Sequence, residues 1–480
     1  MPLFLLTFNT LHMSKFNTTK TTPTTTNLAG GVAYEMSNEM ALVSLLLTSF
    51  GDDKYYTKAS DEFSRLEAHI EACDKHFVAQ AIVFARTVFG MRSITHVAAS
   101  LLAKHIGGEE WGSRFFTRVV RRPDDMTEIV AYHKMRGQKL SNAMKRGFAK
   151  AFEGFDRYQI SKYRGEGKNV KLVDIVNLCH PVESDFNGGA ISALVKGELK
   201  QEETWEALLS QAGSDKNKKR EVWHSLIDAK KLGYFALLRN LRNIIQLGDN
   251  ELTNKTYCAL TNENLIAKSL VLPFRFDTAY EEMRKLGFNE AMRQVSRACE
   301  ISCKNVPKLA GKTLVALDVS GSMMGRPSQI GSLFAAVLAK SNDVDVMTFD
   351  DFARYVAFNP DDSLMTIKSS FRFTGGGTNF NSVFAEANKR YDRIILLSDM
   401  QSWNNTRWGG NAREGIKYYR HTWNPACKFY SFDLAGYGTL SIPERDTYCL
   451  AGFSDKIFDI MANLEADKDA MLNEIKKITL

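Results

Sequence analysis

Leu314-Val315-Ala316-Leu317-Asp318-Val319-Ser320-Gly321-Ser322 joins a purely apolar run to a carboxylate and two hydroxyls. Four apolar residues ended by a charge read as a buried strand, with Asp318 at its end. A carboxylate and two hydroxyls leaving such a strand together can hold a hard divalent cation such as Mg2+. Two further pieces of such a site lie downstream. Thr378 follows three glycines, Gly375 to Gly377, and Asp399 ends a second apolar run, Arg393-Ile394-Ile395-Leu396-Leu397-Ser398. A lone Asp-x-Ser-x-Ser also fits a helix cap made by Ser320 or Ser322. Thr378 and Asp399 at matching places favour the metal.

Around this motif, from Val306 onward, apolar strands alternate with helical patterns. Strands are expected at Leu314–Leu317, Val344–Phe349, Ile394–Leu397 and Phe429–Leu434, with helices at Ile330–Lys340, Phe380–Lys389 and Gly415–Tyr419. Crossovers of this length predict a mostly parallel sheet covered on both faces. Ligands of such sheets bind beyond the carboxyl ends of the strands, where Asp318 and Asp399 fall.

The preceding part follows a different rule. From about Gly31 to Ile301, apolar residues recur at three- and four-residue spacing in about fifteen segments joined by short connections. This predicts an array of antiparallel helix pairs, each burying its apolar face against its neighbours. A compact all-helical globule is the competing reading, because no strict sequence period is visible. A chain of 480 residues is long enough for two or three domains. The divisions expected are a disordered extension over 1–30, a helical domain over 31–305 and an α/β domain over 306–480.

Composition sets further bounds. Hydrophobic residues make up 44% and charged residues 24%, as in ordinary folded proteins. No apolar stretch reaches the length of a membrane span. Met1 to Phe8 is apolar but lacks a basic leader and a small-residue cleavage site, so secretion is not expected. Seven scattered cysteines, with only Cys299 and Cys303 one helical turn apart, predict reduced thiols and a cytoplasmic protein rather than a zinc quartet. The net charge is +7, and all of the excess lies before Val306, where 42 Lys/Arg face 35 Asp/Glu; beyond it there are 20 of each. The richest basic segment, Lys145 to Lys171, interleaves Phe148, Phe152, Phe155, Tyr158 and Tyr163. Basic side chains with interleaved rings can hold single-stranded RNA, and the same phenylalanines at helical spacing also fit a core.

The Asp-x-Ser-x-Ser, Thr378 and Asp399 combination resembles the metal-ion-dependent adhesion site of von Willebrand factor type A domains. That resemblance implies that Asp318, Ser320, Ser322, Thr378 and Asp399 surround Mg2+ or another divalent cation and leave one position open for an anionic oxygen of a partner. A second resemblance lies in the helical part. Tyr158-Gln159-Ile160-Ser161-Lys162-Tyr163-Arg164, Leu172 to Pro181, Ala85-Arg86-Thr87 before Arg92, and Leu237-Leu238-Arg239-Asn240-Leu241-Arg242-Asn243 are similar to the TROVE module of the Ro ribonucleoprotein family. TROVE helices followed by a type A domain is the order of that family, in its bacterial or phage form.

The family resemblance implies a multidomain fold: an all-α, HEAT-like helical-repeat ring joined to an α/β, Rossmann-like type A domain. It also implies a non-catalytic, monomeric RNA-binding protein, free of membrane, acting in RNA quality control or processing. Small structured noncoding RNA of the Y-RNA kind would bind the outer surface, single-stranded RNA 3' ends would enter the ring, and an exoribonuclease is a candidate partner. The residues carried over are Lys162, Arg164 and His180, with Lys145 and Arg146 on the preceding helix. Arg86 and Arg92 are candidates for the ring's interior, and Lys216, Lys218, Lys219 and Arg220 for a second basic surface. The alternative is a divalent-metal-dependent adhesion or assembly factor without RNA.

Overall fold

Apolar periodicity becomes helix wherever a short polar residue can close the first turn. Asp74 accepts from Phe77 N at 2.9 Å, Ser141 from Met144 N at 3.2 Å, Asp156 from Gln159 N at 2.7 Å and Asp249 from Leu252 N at 2.9 Å. Each satisfies an amide that the helix itself cannot. The computed structural model describes residues 25–49, 59–200, 205–230, 232–402, 412–442, 447–451 and 470–480, with Ile457 and Met461.

Seventeen described α-helices precede the main sheet. They are α1 (Asn38–Thr48), α2 (Ala59–Ala72), α3 (Lys75–Thr87), α4 (Ser93–Ala103), α5 (Gly112–Val119) and α6 (Pro123–Met135). Next come α7 (Asn142–Phe152), α8 (Arg157–Lys162), α9 (Leu172–Cys179), α10 (Ala190–Val195), α11 (Trp205–Gln211) and α12 (Lys216–Asp228). The last are α13 (Tyr234–Ile245), α14 (Asn250–Leu260), α15 (Glu263–Ser269), α16 (Phe274–Lys285) and α17 (Asn289–Ser302). Contacts run between near neighbours, α1 to α3, α3 to α5, α5 to α7 and α7 to α9, then α12 to α14 and α14 to α17. This is a stacked array rather than a globule around one centre. None of the seven cysteines is bonded to another.

The α/β part contains strands β3 (Thr313–Asp318), β4 (Val344–Phe349), β5 (Ala353–Val356), β6 (Arg393–Ser398), β7 (Lys428–Asp433) and β9 (Tyr448–Ala451). Its helices are α18 (Arg326–Ser341), α19 (Leu364–Ser370), α20 (Phe380–Glu386), α21 (Ala412–Thr422) and α22 (Ala470–Lys476). The sheet order is β5-β4-β3-β6-β7-β9, parallel except for β5. Every residue of β3 and β6 is buried, as both-face coverage requires. Alternate residues sort by face. Val315, Leu317, Ile395 and Leu397 join one continuous core with the helical array, while Leu314, Ala316, Ile394 and Leu396 pack with Phe384 and Ile416 on the other side.

The α/β part touches both ends of the array. At the late end, Phe274 of α16 stacks on Phe334 of α18 with centroids 6.1 Å apart, Lys340 pairs with Glu300 at 3.2 Å, and Lys368 pairs with Asp277. At the early end, β2 (Val32–Glu35) pairs antiparallel with β8 (Thr439–Leu440). Ser44 donates to Asp433 at 2.9 Å, Arg65 to the Gly436 carbonyl at 2.8 Å, and Gln80 to the Lys476 and Ile478 carbonyls at 2.8 Å. Contacts therefore form a closed circuit, a helical ring joined through the α/β domain.

Of the extension expected over 1–30, residues 1–24 lie outside the described residues. Thr25–Thr26 is strand β1, paired with β2, so defined structure begins before Gly31. Strands β1, β2, β5, β8 and β9 and helices α8, α14, α19 and α22 add to the elements read from the sequence.

Candidate metal centre and nucleic-acid interface

Parallel strands β3 and β6 lie side by side with Leu317 opposite Leu397, so their carboxyl ends deliver Asp318 and Asp399 to one place. Asp318 Oδ1 accepts from Ser320 N at 2.9 Å, which curls the loop back over the strand end. Its Oδ2 accepts from Ser398 Oγ at 2.6 Å. Ser320 Oγ and Ser322 Oγ stand 3.4 Å apart. The glycine loop is tied to the same spot: Gly321 N donates to Gly376 O at 3.1 Å, and Gly375 N to Val319 O at 3.2 Å. Gly375 has φ +77°, a conformation that favours glycine, and a Cβ on Gly376 would sit tightly, 3.2 Å from Asp351 Oδ2 and 3.3 Å from Asp350 Cβ. Thr378, buried behind this loop, receives Ser402 Oγ on its carbonyl at 3.1 Å.

All five residues read from the sequence thus converge, and each is at least nine-tenths buried. Burial pushes the Asp318 carboxyl above its usual range and the nearby Asp350 charge adds to this, while Ser320 and Ser398 offset part of it. Burial likewise raises Asp399, and the charge of Asp318 raises it further, against hydrogen bonds from Ser322 and Gln401. Asp399 Oδ2 is buried with no hydrogen-bond partner among the described residues. Two facing buried carboxylates with an orphaned oxygen make a cation-shaped deficit. The donors are all oxygen, the set a small hard dication takes. No group of three or more His, Cys, Asp or Glu comes together among the described residues, so any metal here would rest largely on hydroxyls.

Asp350 was not singled out in the sequence. It follows β4 directly, as Asp318 ends β3, and its Oδ2 receives Thr374 Oγ1 at 2.6 Å, holding the glycine loop. Its signal was the same strand-then-acid pattern. The N-terminal segment also reaches the site: Leu28 N donates to Gln401 Oε1 at 2.8 Å and Asn27 to the Ser402 carbonyl. Residues nearly four hundred positions away in sequence therefore brace the loop after Asp399.

The basic candidates separate into two groups. Lys145 is half-buried and Arg146 exposed on α7, and Lys145 lies close enough to Cys179 of α9 to lower its thiol against the rise from burial. His180 follows Cys179 in the left-handed conformation, φ 49°, with its side chain exposed. Lys145 and His180 thus lie at the α7–α9 boundary, and Arg146 is exposed at the next position of α7. Lys162 instead pairs with Glu206 of α11 and lies over the Tyr158, Tyr163 and Trp205 rings at 5.4, 5.7 and 5.9 Å. Arg164 donates to the Leu199 carbonyl at 2.8 Å and pairs with Glu166 at 3.3 Å. These two stitch α8 to the residues before and within α11, which leaves them less of their charge to offer an RNA.

Arg86 and Arg92 serve a buried cluster. Asp125 accepts from Arg86 at 2.7 Å, Arg92 at 3.3 Å and His96 at 3.0 Å, and Asp124 pairs with Arg92 and Arg122. Arg86 is buried; Arg92 keeps about a third of its side chain exposed, at the wall of a cavity of 770 Å³. In the second basic cluster Lys216 and Lys218 are exposed, while Arg220 is tied to the Leu247 carbonyl at 2.6 Å.

Comparison with known proteins adds a family resemblance and a fold. The model of the TROVE domain matches residues 193–324. Telomerase protein component 1 of Mus musculus is 22% identical over 338 residues, which is 52% of this chain and 13% of that protein. The same protein of Rattus norvegicus is 21% identical over 340 residues, again 52% and 13%. The chain thus spans about an eighth of the length of these curated relatives. The crystal structure of the Ro protein (RSR) of Deinococcus radiodurans superimposes with a TM-score of 0.59 at 16% identity, covering 92% of this chain and 99% of that one.

Proposed function

From its resemblance to the Ro/TROVE family, we propose that this chain is a non-catalytic RNA-binding protein, the core of a small ribonucleoprotein. One observation carries the reading: the helical array and the α/β domain close on each other along nearly the whole length shared with the Ro fold. The exposed surface of Lys145, Arg146 and His180 is where small structured RNA of the Y-RNA kind binds, with phosphates on the basic groups. Single-stranded 3' ends take the ring, and the complex acts in cytoplasmic RNA quality control or processing, with an exoribonuclease as a fitting partner. Lys162 and Arg164 contribute by fixing the α8–α11 seam, and contact RNA only if their ion pairs yield.

Asp318, Ser320, Ser322, Thr378 and Asp399 are the residues that would hold Mg2+ or another dication. Such an ion supplies an electrophilic position for a carboxylate of a partner protein. The buried Asp399 Oδ2, without a hydrogen-bond partner among the described residues, supports this part and also favours the second reading, a metal-dependent assembly factor without RNA. Binding of a small hairpin RNA at two salt concentrations separates them. The RNA reading expects affinity that falls steeply with salt and falls again in Lys145→Ala/Arg146→Ala. Partner capture that needs a divalent ion, with no RNA affinity at either salt, would leave the second reading standing.

A further inference from the structure

Helices α13 and α16 leave between them a cavity of 490 Å³. Phe235, Arg239 and Arg242 stand at i, i+4 and i+7, so they share one face of α13. Arg275, Glu282 and Met283 at i, i+7 and i+8 share the opposing face of α16. Leu238 and Phe274 add apolar lining. Phe235, although aromatic, is 44% exposed at the rim. Arg242 pairs with Glu282 across the gap at 2.8 Å. Arg239 and Arg275 are exposed and make no ion pair or side-chain hydrogen bond among the described residues.

We propose that this groove binds one unpaired nucleobase of a single-stranded RNA, stacked on Phe235, with the flanking phosphates on Arg239 and Arg275. The chemistry selects that ligand. Three guanidinia against one carboxylate favour a polyanion, and a ring at the rim of an apolar-floored cavity offers a face that any base can stack on. Guanidinium planes suit both phosphate and base. A duplex buries its base faces and gains nothing from Phe235. The groove is separate from the α7–α9 surface: α13 and α16 pack on α14 and α17, whereas α7 and α9 pack on α5, α6 and α10. The inference rests on the RNA-binding reading and gives its single-stranded part an address.

Fluorescence anisotropy of the full chain with a labelled oligouridylate of about 12 nucleotides, within the usual single-strand site size, and with a small hairpin RNA tests it. Phe235→Ala and Arg239→Ala/Arg275→Ala are each expected to weaken oligouridylate binding about tenfold, the size of one stacked base, and to leave hairpin binding unchanged. Phe235→Leu keeps the apolar cover and is expected to lose the same stacking. Lys145→Ala/Arg146→Ala/His180→Ala is expected to do the converse. All these side chains are wholly or partly exposed, so circular dichroism should report an intact fold. Oligouridylate affinity unchanged in the groove variants, or absent from the wild type, overturns the proposal. So does polyglutamate competing as well as RNA, which would make the groove a site for acidic protein. If the hairpin also fails to bind the wild type, the RNA reading itself falls; if the hairpin binds normally, only the groove does.

Discussion

Asp125 accepts from two arginines and a histidine with no exposure to solvent. Burial alone would raise its carboxyl, but His96 and Arg86 outweigh that and hold it well below the usual carboxylate range. A depressed folded-state pKa stabilises above the unfolded value, near 3.9, and that stability is lost as pH falls through it toward the folded one. Asp125→Asn is therefore expected to destabilise the protein at pH 7 by about 3–5 kcal/mol, the cost of breaking a buried pair. It should also lose less at pH 3. Chemical denaturation at both pH values checks this, and equal losses would contradict it. Asp399→Asn should behave oppositely. It removes one of two repelling buried carboxylates, so the metal-free Tm is expected to hold or rise. If the site holds Mg2+ as proposed, the stabilisation that ion gives, about 2.7 kcal/mol at a hundred times Kd, should vanish. Scanning calorimetry with and without Mg2+ reads both. That Asp318, Ser320, Ser322, Thr378 and Asp399 come together was legible in the sequence, because strand ends and glycine turns fix where such side chains go. The ion pair of Lys162 was not, because whether that side chain meets solvent or Glu206 depends on a helix forty residues away.

Between elements, α5 and α7 approach each other closely. A Cβ on Gly147 would lie 2.5 Å from both Phe116 Cβ and Ser113 O, so the helices meet only because that position is glycine. Gly147→Ala gains helix propensity of about 1 kcal/mol but must push backbone apart. We expect a net loss of about 1–3 kcal/mol, as for overpacked cores, read by urea denaturation; a stabilised variant would mean the contact is looser than described. The long helices with capping residues and a wide apolar stripe, such as α3 and α7, were readable from the sequence. Helix α14 was not, since only Leu252, Thr256 and Leu260 of its eleven residues are buried and the stripe is too thin. Strands β5 and β9, four residues each at the sheet's edges, carry no pattern long enough to detect. The four central strands were, because burial on both faces demands continuous apolar runs.

At the scale of the whole molecule, ring closure depends on pairs such as Gln80 with Ile478, separated by 398 residues, which no local pattern encodes. The family resemblance supplied that expectation and the contacts give it substance: one apolar core runs from α1 through the helices to one face of the sheet. No described helix is long and apolar enough to cross a membrane. The closed ring, the accessible Lys145, Arg146 and His180 and the positive excess before Val306 together point to RNA. Sequencing and quantifying the RNA that co-purifies with the full chain, beside the Lys145→Ala/Arg146→Ala/His180→Ala variant, tests it most directly. We expect a discrete small noncoding RNA on the wild type that is lost from the folded variant. A folded wild-type protein that carries no RNA, or the same RNA on both, would contradict it.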